Sequence, residues 1–193
     1  MTYKRNPVRR LIAPALVALG MAVTLTACAS STPPPKLASS VDLNRFMGKW
    51  YVIANIPYFA EKGAVGSSDD YTLRPDGQID TTFRYHDRSF ATPEKTAGSL
   101  AYVVPDTNNA KWRVSFFWPV YFSYLILHVD DDYQIAAVGY PDRSLGWVFS
   151  RSPQMDNATY QATLGKFAAE GYDISQFQRV PQSASDFGKP GYQ

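Results

Sequence analysis

Between residues 50 and 151 the chain is a succession of short runs rich in Val, Ile, Thr and aromatic residues, and nothing else in it constrains the fold as tightly. The runs are Trp50–Ile56, Asp70–Leu73, Gln78–Tyr85, Thr96–Val103, Lys111–Trp118, Ser123–Val129, Tyr133–Tyr140 and Gly146–Arg151. Turn formers separate many of them, including Arg74-Pro75-Asp76-Gly77, Pro105 to Asn109, Asp130 to Asp132 and Pro141 to Ser144. Eight strands at this spacing predict an all-β, up-and-down antiparallel meander. An open sheet would expose two unpaired edges, so the expected fold is a closed eight-stranded β-barrel, whose interior holds side chains or one small ligand. One segment departs from the pattern. Asp156 to Ala169 carries Tyr160, Leu164 and Phe167 at i, i+4, i+7, with Asp156 or Asn157 as N-cap and Gly171 as stop. It predicts one C-terminal α-helix packed on the barrel's outside.

Aromatic residues are 15% of the chain and concentrate in the strands. In the third run Phe83 and Tyr85 share one face against Arg84 and His86; in the fifth, Trp112, Val114, Phe116 and Trp118 stand opposite Arg113, Ser115 and Phe117. These apolar faces meet inside a barrel. Alternation alone leaves open whether they fill it or line a cavity.

The N-terminus reads as a targeting segment. Lys4, Arg5, Arg9 and Arg10 precede an apolar stretch, Leu11 to Leu25, that Pro14 interrupts and that is shorter than the ~20 residues of a membrane span. It ends Leu25-Thr26-Ala27-Cys28, which resembles the lipobox of bacterial lipoproteins. The resemblance implies cleavage after residue 27 and lipidation of Cys28, the only cysteine, giving a stable anchor. Ala29 and Ser30 follow where an aspartate would resemble an inner-membrane retention signal, so the outer membrane, at its periplasmic face, is expected. Residues 28–40, with Pro33-Pro34-Pro35, read as an extended tether, 41–180 as the domain and 181–193 as a tail. The leader holds four of the 19 Lys+Arg and none of the 17 Asp+Glu, so the remaining 166 residues carry a net −2, against nucleic-acid binding.

Gly48-Lys49-Trp50 opening the first strand resembles the G-x-W motif of the lipocalins, and Gly146 to Pro153 resembles their last strand, whose arginine packs over that tryptophan. Tyr71 to Gly77, Val114 to Pro119, Tyr133 to Arg143 and Glu170 to Ser175 are similar to segments of bacterial lipocalins of the Blc and apolipoprotein D type. The likeness spans about Val41 to Gln178. It implies a calyx closed at one end by Gly48, Trp50 and Arg151, with a lid, Pro57 to Ser68, at the other. Interior alternation then names Phe83, Trp112, Val114, Phe116, Trp118 and Phe122 as ligand-binding wall residues, with Tyr85, Tyr124 or His128 meeting a polar head group. Two departures from the bacterial pattern stand out: Trp118, Phe122 and Ser123 where small residues are usual, and His128 in a strand.

Catalytic and metal chemistry find no support in the spacing. His86 and His128 are the only histidines, the single cysteine is assigned to lipidation, and no G-x-S-x-G or C-x-x-C occurs. Asp69-Asp70 and Asp130 to Asp132 read as solvated turn ends. The expectation is a non-enzymatic, cofactor-free lipoprotein, monomeric or weakly dimeric, that binds or transports a fatty acid or lysophospholipid. Its alternatives are a filled barrel acting as an interaction lipoprotein, or a calyx for a rigid ligand such as haem, carotenoid or quinone.

Overall fold

The computed structural model describes residues 1–2 and 33–193, so the leader and Cys28 lie outside the described residues. Residues 33–193 form one compact unit. In order it comprises α1 (Leu43–Phe46), β1 (Gly48–Asn55), β2 (Ala64–Leu73), β3 (Ile79–Asp87), β4 (Lys95–Val103), β5 (Lys111–Phe117), β6 (Val120–Val129), β7 (Ile135–Gly139), β8 (Gly146–Ser150), α2 (Asn157–Ala169) and β9 (Gln178–Arg179). Among the described residues, β1 to β8 pair antiparallel in sequence order, and β1 pairs with both β2 and β8, closing the barrel. Closure gives each of β1 to β8 a neighbour on both sides and so removes the free edges of an open sheet.

The core has two layers. Inside the barrel Trp50, Val52, Tyr71, Ile79, Trp112, Ile126, Ala136, Val138 and Phe149 pack together under Phe46 of α1. Outside it, α2 lays Tyr160, Leu164 and Phe167 against Ile53, Leu125, Leu127, Ala137 and Val148. The Asp156 carboxylate caps α2 by accepting from Thr159 N (2.9 Å), and the chain leaves the helix through Gly171 at φ +81°, which favours glycine.

Several boundaries differ from those read in the sequence. The lid is shorter than Pro57 to Ser68, because β2 already begins at Ala64 and carries a register shift between Val65 and Ser68. Gly66 makes the shift possible: it sits at φ +61°, and a Cβ there would come within 2.8 Å of the Phe90 ring. The Pro-rich segment is extended but, from Pro33 on, lies against the barrel instead of standing free. Pro33 O accepts from Arg143 Nη2 (2.7 Å), Lys36 N donates to Glu170 Oε2 (2.6 Å) and Ala38 N donates to Ile126 O (2.9 Å).

Residues 181–193 are likewise part of the barrel wall. The β1–β2 register runs from Gly48↔Tyr71 to Tyr51↔Ser68, leaving the rest of β1 to find another partner. The C-terminal segment fills that seam. β9 pairs with Ala54 and Asn55, Gly66 N donates to Pro181 O (2.7 Å), and Gln182 Nε2 donates both to Val52 O (2.8 Å) and to Ser67 O (3.1 Å). One amide thus bridges the two strands. Gln182→Ala therefore lowers stability by about 1–3 kcal/mol, the cost of leaving part-buried carbonyls unpaired, as read by urea unfolding; a change within 0.3 kcal/mol would show that the seam closes without it.

Candidate functional site: the barrel interior

One end of the barrel is sealed by the residues that begin β1 and end β8. The Arg151 guanidinium lies 3.9 Å from the Trp50 ring centroid and donates to Lys49 O (2.8 Å), Arg45 O (2.7 Å), Met47 O (2.8 Å) and Phe46 O (3.1 Å). Gly48 turns at φ +87° beside that guanidinium, 3.4 Å from where its Cβ would be. Trp50 Nε1 donates to Phe46 O (2.7 Å), and both rings are fully buried. Every polar group that this plug places out of water finds a partner, so it tolerates burial.

Burial falls along the barrel towards the other end. Trp112 is fully buried, Val114 and Tyr124 are partly so, and Phe116 and Phe122 are exposed. On the opposing wall Phe83 and Tyr85 are partly buried and stack at 5.1 Å. Across the β3–β4 pairing Phe83 stands opposite Ala97, Thr81 opposite Ser99 and Tyr85 opposite Lys95. Pairing between β4 and β5 runs from Val103↔Trp112 to Leu100↔Ser115, whereas β5–β6 pairing continues to Phe117↔Val120. Above Ser115 the wall therefore divides into a β3–β4 ribbon, whose inner face carries Phe83 and Tyr85 beside Lys95, and a β5–β6 ribbon, whose inner face carries Val114 and Phe122.

The floor of this space is a hydrogen-bonded chain of ionisable groups. The Trp112 and Tyr124 rings stack at 5.1 Å; Tyr124 Oη is hydrogen-bonded to Tyr71 Oη (2.7 Å), and Tyr71 Oη donates to Asp69 Oδ2 (2.9 Å). Asp69 is therefore no solvated turn end. It pairs with both Trp50 and Phe83 in a regular stretch of β2, two residues before Tyr71 and on the same inner face. Burial, and after it the neighbouring Glu61 carboxylate, push the Asp69 carboxyl up to about 7, the Tyr71 hydrogen bond opposing them. Glu61, from the β1–β2 loop, accepts from Asn55 Nδ2 (2.6 Å), Trp147 Nε1 (2.9 Å) and Tyr58 Oη (3.3 Å). Burial raises its pKa too, against those three donors. The sequence reading missed Glu61 altogether, since a lone acid in a loop carries no pattern.

Of the wall residues named from alternation, Phe83, Tyr85, Trp112, Val114, Tyr124 and Phe122 stand on the inner face; Trp112 belongs to the packed base. Trp118 does not: the hairpin turns before it, after Phe117, and its side chain is 81% exposed beyond the strand end. His128 is also corrected. A register shift between Ile126 and His128 pairs it with Ala137, which belongs to the outer layer, and its charge is felt by Lys166 of α2. It faces the helix, away from the interior. His86 is outward as well, with Nδ1 hydrogen-bonded to Thr92 O (2.7 Å).

The sequence and the fold of this barrel are shared with known proteins. A lipocalin-like domain model matches residues 41–182. Temperature-induced lipocalin-1 of Arabidopsis thaliana is 36% identical over 159 residues, 77% of this chain and 83% of the plant protein. Outer membrane lipoprotein Blc of Escherichia coli (strain K12) is 32% identical over 174 residues, 89% of this chain and 98% of its own length. Among solved structures, insecticyanin from the tobacco hornworm Manduca sexta superposes with a TM-score of 0.62 at 20% identity, covering 79% of this chain and 87% of that one. Lobster apocrustacyanin A1 gives 0.61 at 16% identity, with 79% and 92% covered. The chain belongs to the lipocalin-like family.

Proposed function

We propose that this lipocalin is an envelope lipoprotein, anchored through Cys28 at the periplasmic face of the outer membrane, whose calyx binds and carries a single-chain amphiphile such as a fatty acid or lysophospholipid. The observation that carries the ligand reading is the gradient of burial on the inner face, from Trp112 at 0% to Phe122, opposite Val114, at 40% exposed. A barrel filled by its own side chains would bury its upper aromatics as fully as its lower ones. Apolar surface left uncovered at the upper end is worth ~25 cal/mol per Å2 to an acyl chain that covers it, and it opposes release into water. Lipocalins bind small hydrophobic molecules, and the interior here offers hydroxyls, two carboxyls and rings around an apolar space.

The carboxyls orient the ligand. A fatty acid entering carboxylate first would meet Asp69 and Glu61, so the acyl chain goes in first and the polar end stays at the mouth. The anchor and the location draw support from the lipobox resemblance and from the outer membrane lipoproteins that this chain resembles over nearly their whole length. Among the described residues no helix is long and apolar enough to cross a membrane.

Native mass spectrometry of the purified protein, with organic extraction of what accompanies it, tests this. A stoichiometric acyl lipid displaced by a fluorescent acyl probe is expected. A clean apo mass without probe uptake would return the filled barrel and its surface partners; visible absorbance would return the rigid chromophore. Phe116→Arg, at an exposed position that can hold a charge, weakens probe binding at least tenfold in a folded protein; unchanged affinity would remove Phe116 from the wall.

A further inference from the structure

We infer that the floor of the calyx is a site for an organic cation: it takes a long-chain amine, the ammonium group against Asp69 and the apolar chain rising between the aromatic walls. The inference rests on the open calyx proposed above, on neither the anchor nor acyl carriage, and it reverses the order of entry given there for an acyl ligand.

The first ground is a count of protons. Tyr71 Oη donates its one proton to Asp69 Oδ2 (2.9 Å), so in the 2.7 Å contact between the two hydroxyls Tyr124 is the donor and Tyr71 the acceptor. Tyr58 Oη donates to Glu61 Oε1 (3.3 Å), while Asn55 Nδ2 and Trp147 Nε1 donate to Glu61 Oε2 (2.6 and 2.9 Å). What remains at the floor accepts: the lone pairs of Tyr124 Oη, and Asp69 Oδ1, which has no partner among the described residues. Among those residues no polar side-chain atom is sealed away without a partner, so Oδ1 stands open to the barrel's interior. A group that settles there must donate.

The second ground is a count of charges. Asp69 and Glu61 lie near enough for Glu61 to raise the Asp69 pKa, and among the described residues no Lys or Arg forms an ion pair with either. Charges held out of water are ordinarily paired. The neighbouring cations are committed elsewhere. Lys49, beside Trp50 on β1, is exposed and stands 5.9 Å from the Tyr51 ring centroid; Arg84, beside Phe83 on β3, pairs with Glu94 (3.4 Å). Lys95, opposite Tyr85, is paired with Asp87 (3.0 Å), and Arg151 is engaged by the carbonyls of the plug. The donor set is too small for a divalent metal, since among the described residues no three His, Cys, Asp or Glu converge. An ammonium supplies what is absent, one positive charge and three donors. Phe83, opposite Asp69 and stacked on Tyr85 at 5.1 Å, offers ring surface to the same charge. A hydroxyl brings one donor and no charge.

The preference depends on pH. Burial holds the Asp69 carboxyl up to about 7, and below that a proton takes the place of the ammonium, so amine binding strengthens from pH 5 to pH 8. Glu61, raised in the same direction, adds to the change, whereas Tyr71 and Tyr124 stay neutral throughout because burial pushes their hydroxyls further up.

The test is competition: protein carrying a fluorescent acyl probe is titrated with dodecylamine or dodecanol, below their micelle concentrations, at pH 5 and pH 8. Dodecylamine is expected to displace the probe about tenfold more effectively than dodecanol at pH 8, and less than about threefold at pH 5. Asp69→Asn, its fold checked by circular dichroism, brings the two to within about twofold at pH 8. Asp70→Asn removes the same charge from the outer face one residue along and keeps the wild-type ratio. Amine and alcohol acting alike in the wild type at pH 8, a ratio that survives Asp69→Asn, or one lost equally in Asp70→Asn overturns the cation site while the acyl calyx stands. If the probe does not enter the barrel at all, the calyx falls and the cation site with it.

Discussion

Trp50→Ala lowers the free energy of unfolding by about 3–5 kcal/mol, more than substitution of any exposed aromatic at the mouth. Trp50 is fully buried, packs on Phe46 at 5.0 Å between centroids, and carries the Arg151 guanidinium 3.9 Å from its ring. Truncation removes all of that and opens a cavity beneath an arginine that still holds five carbonyls. Because the residues at fault lie at the sealed end, Trp50→Phe recovers part of the loss by restoring an apolar ring without the Nε1 donor to Phe46 O. Urea unfolding of the three proteins measures it. A loss under 1 kcal/mol for the alanine variant would mean that Arg151 and the carbonyls seal the barrel without the indole.

Asp69→Asn makes the protein more stable at pH 8 and removes most of its stability change between pH 4 and pH 7. The sign follows from the raised carboxyl. Folded Asp69 titrates near 7 and the unfolded residue near 3.8, so the folded state holds a proton that the unfolded state has lost. Its contribution is fully present below pH ~4, declines as pH rises, and is gone above pH ~7; the ceiling is about 4 kcal/mol. Glu61, Tyr71 and Tyr124 are the ionisable groups that bear on it. Glu61 is raised in the same direction, so some slope persists in the variant. Asparagine keeps an oxygen for the Tyr71 hydroxyl and forms no charge. Unfolding series at pH 4, 6 and 8 decide it; parallel curves for the two proteins would place the buried titration elsewhere. The same ionisation bears on ligand: carboxylate-bearing amphiphiles are turned away from the floor more strongly above pH 7.

The strands were legible because alternation reports a face wherever a strand is half-buried. Phe83 and Tyr85 stand in an unbulged stretch of β3, where period two holds from Ile79 to Asp87. It fails at bulges. The shift after Ile126 accounts for His128, since one extra residue reverses every face beyond it, whereas Asp69 was read as a turn end because the second run was begun at Asp70 and β2 starts at Ala64. Trp118 failed for another reason: the alternation ran on past Phe117, where the strand had already turned. The ends of the chain were read as tether and tail because their Pro, Ser and Gly content looks unstructured. They are ordered by groups remote in sequence, Arg143 and Glu170 at one end and the β1–β2 seam at the other.

What the sequence by itself determined was the class of fold: eight short aromatic-rich strands, a single amphipathic helix, and a tryptophan and an arginine at opposite ends of the barrel sequence. Local pattern encodes these because burial repeats every two residues in a strand and roughly every 3.6 in a helix. Only the tertiary structure decided which carboxyls face inward, which seam the C-terminus closes and where the N-terminal segment lies on the barrel. Those depend on where strands begin, on the departure of β1 from β2 and on contacts more than a hundred residues apart, such as Lys36 to Glu170 and Val52 to Gln182, and no local period carries information across that distance.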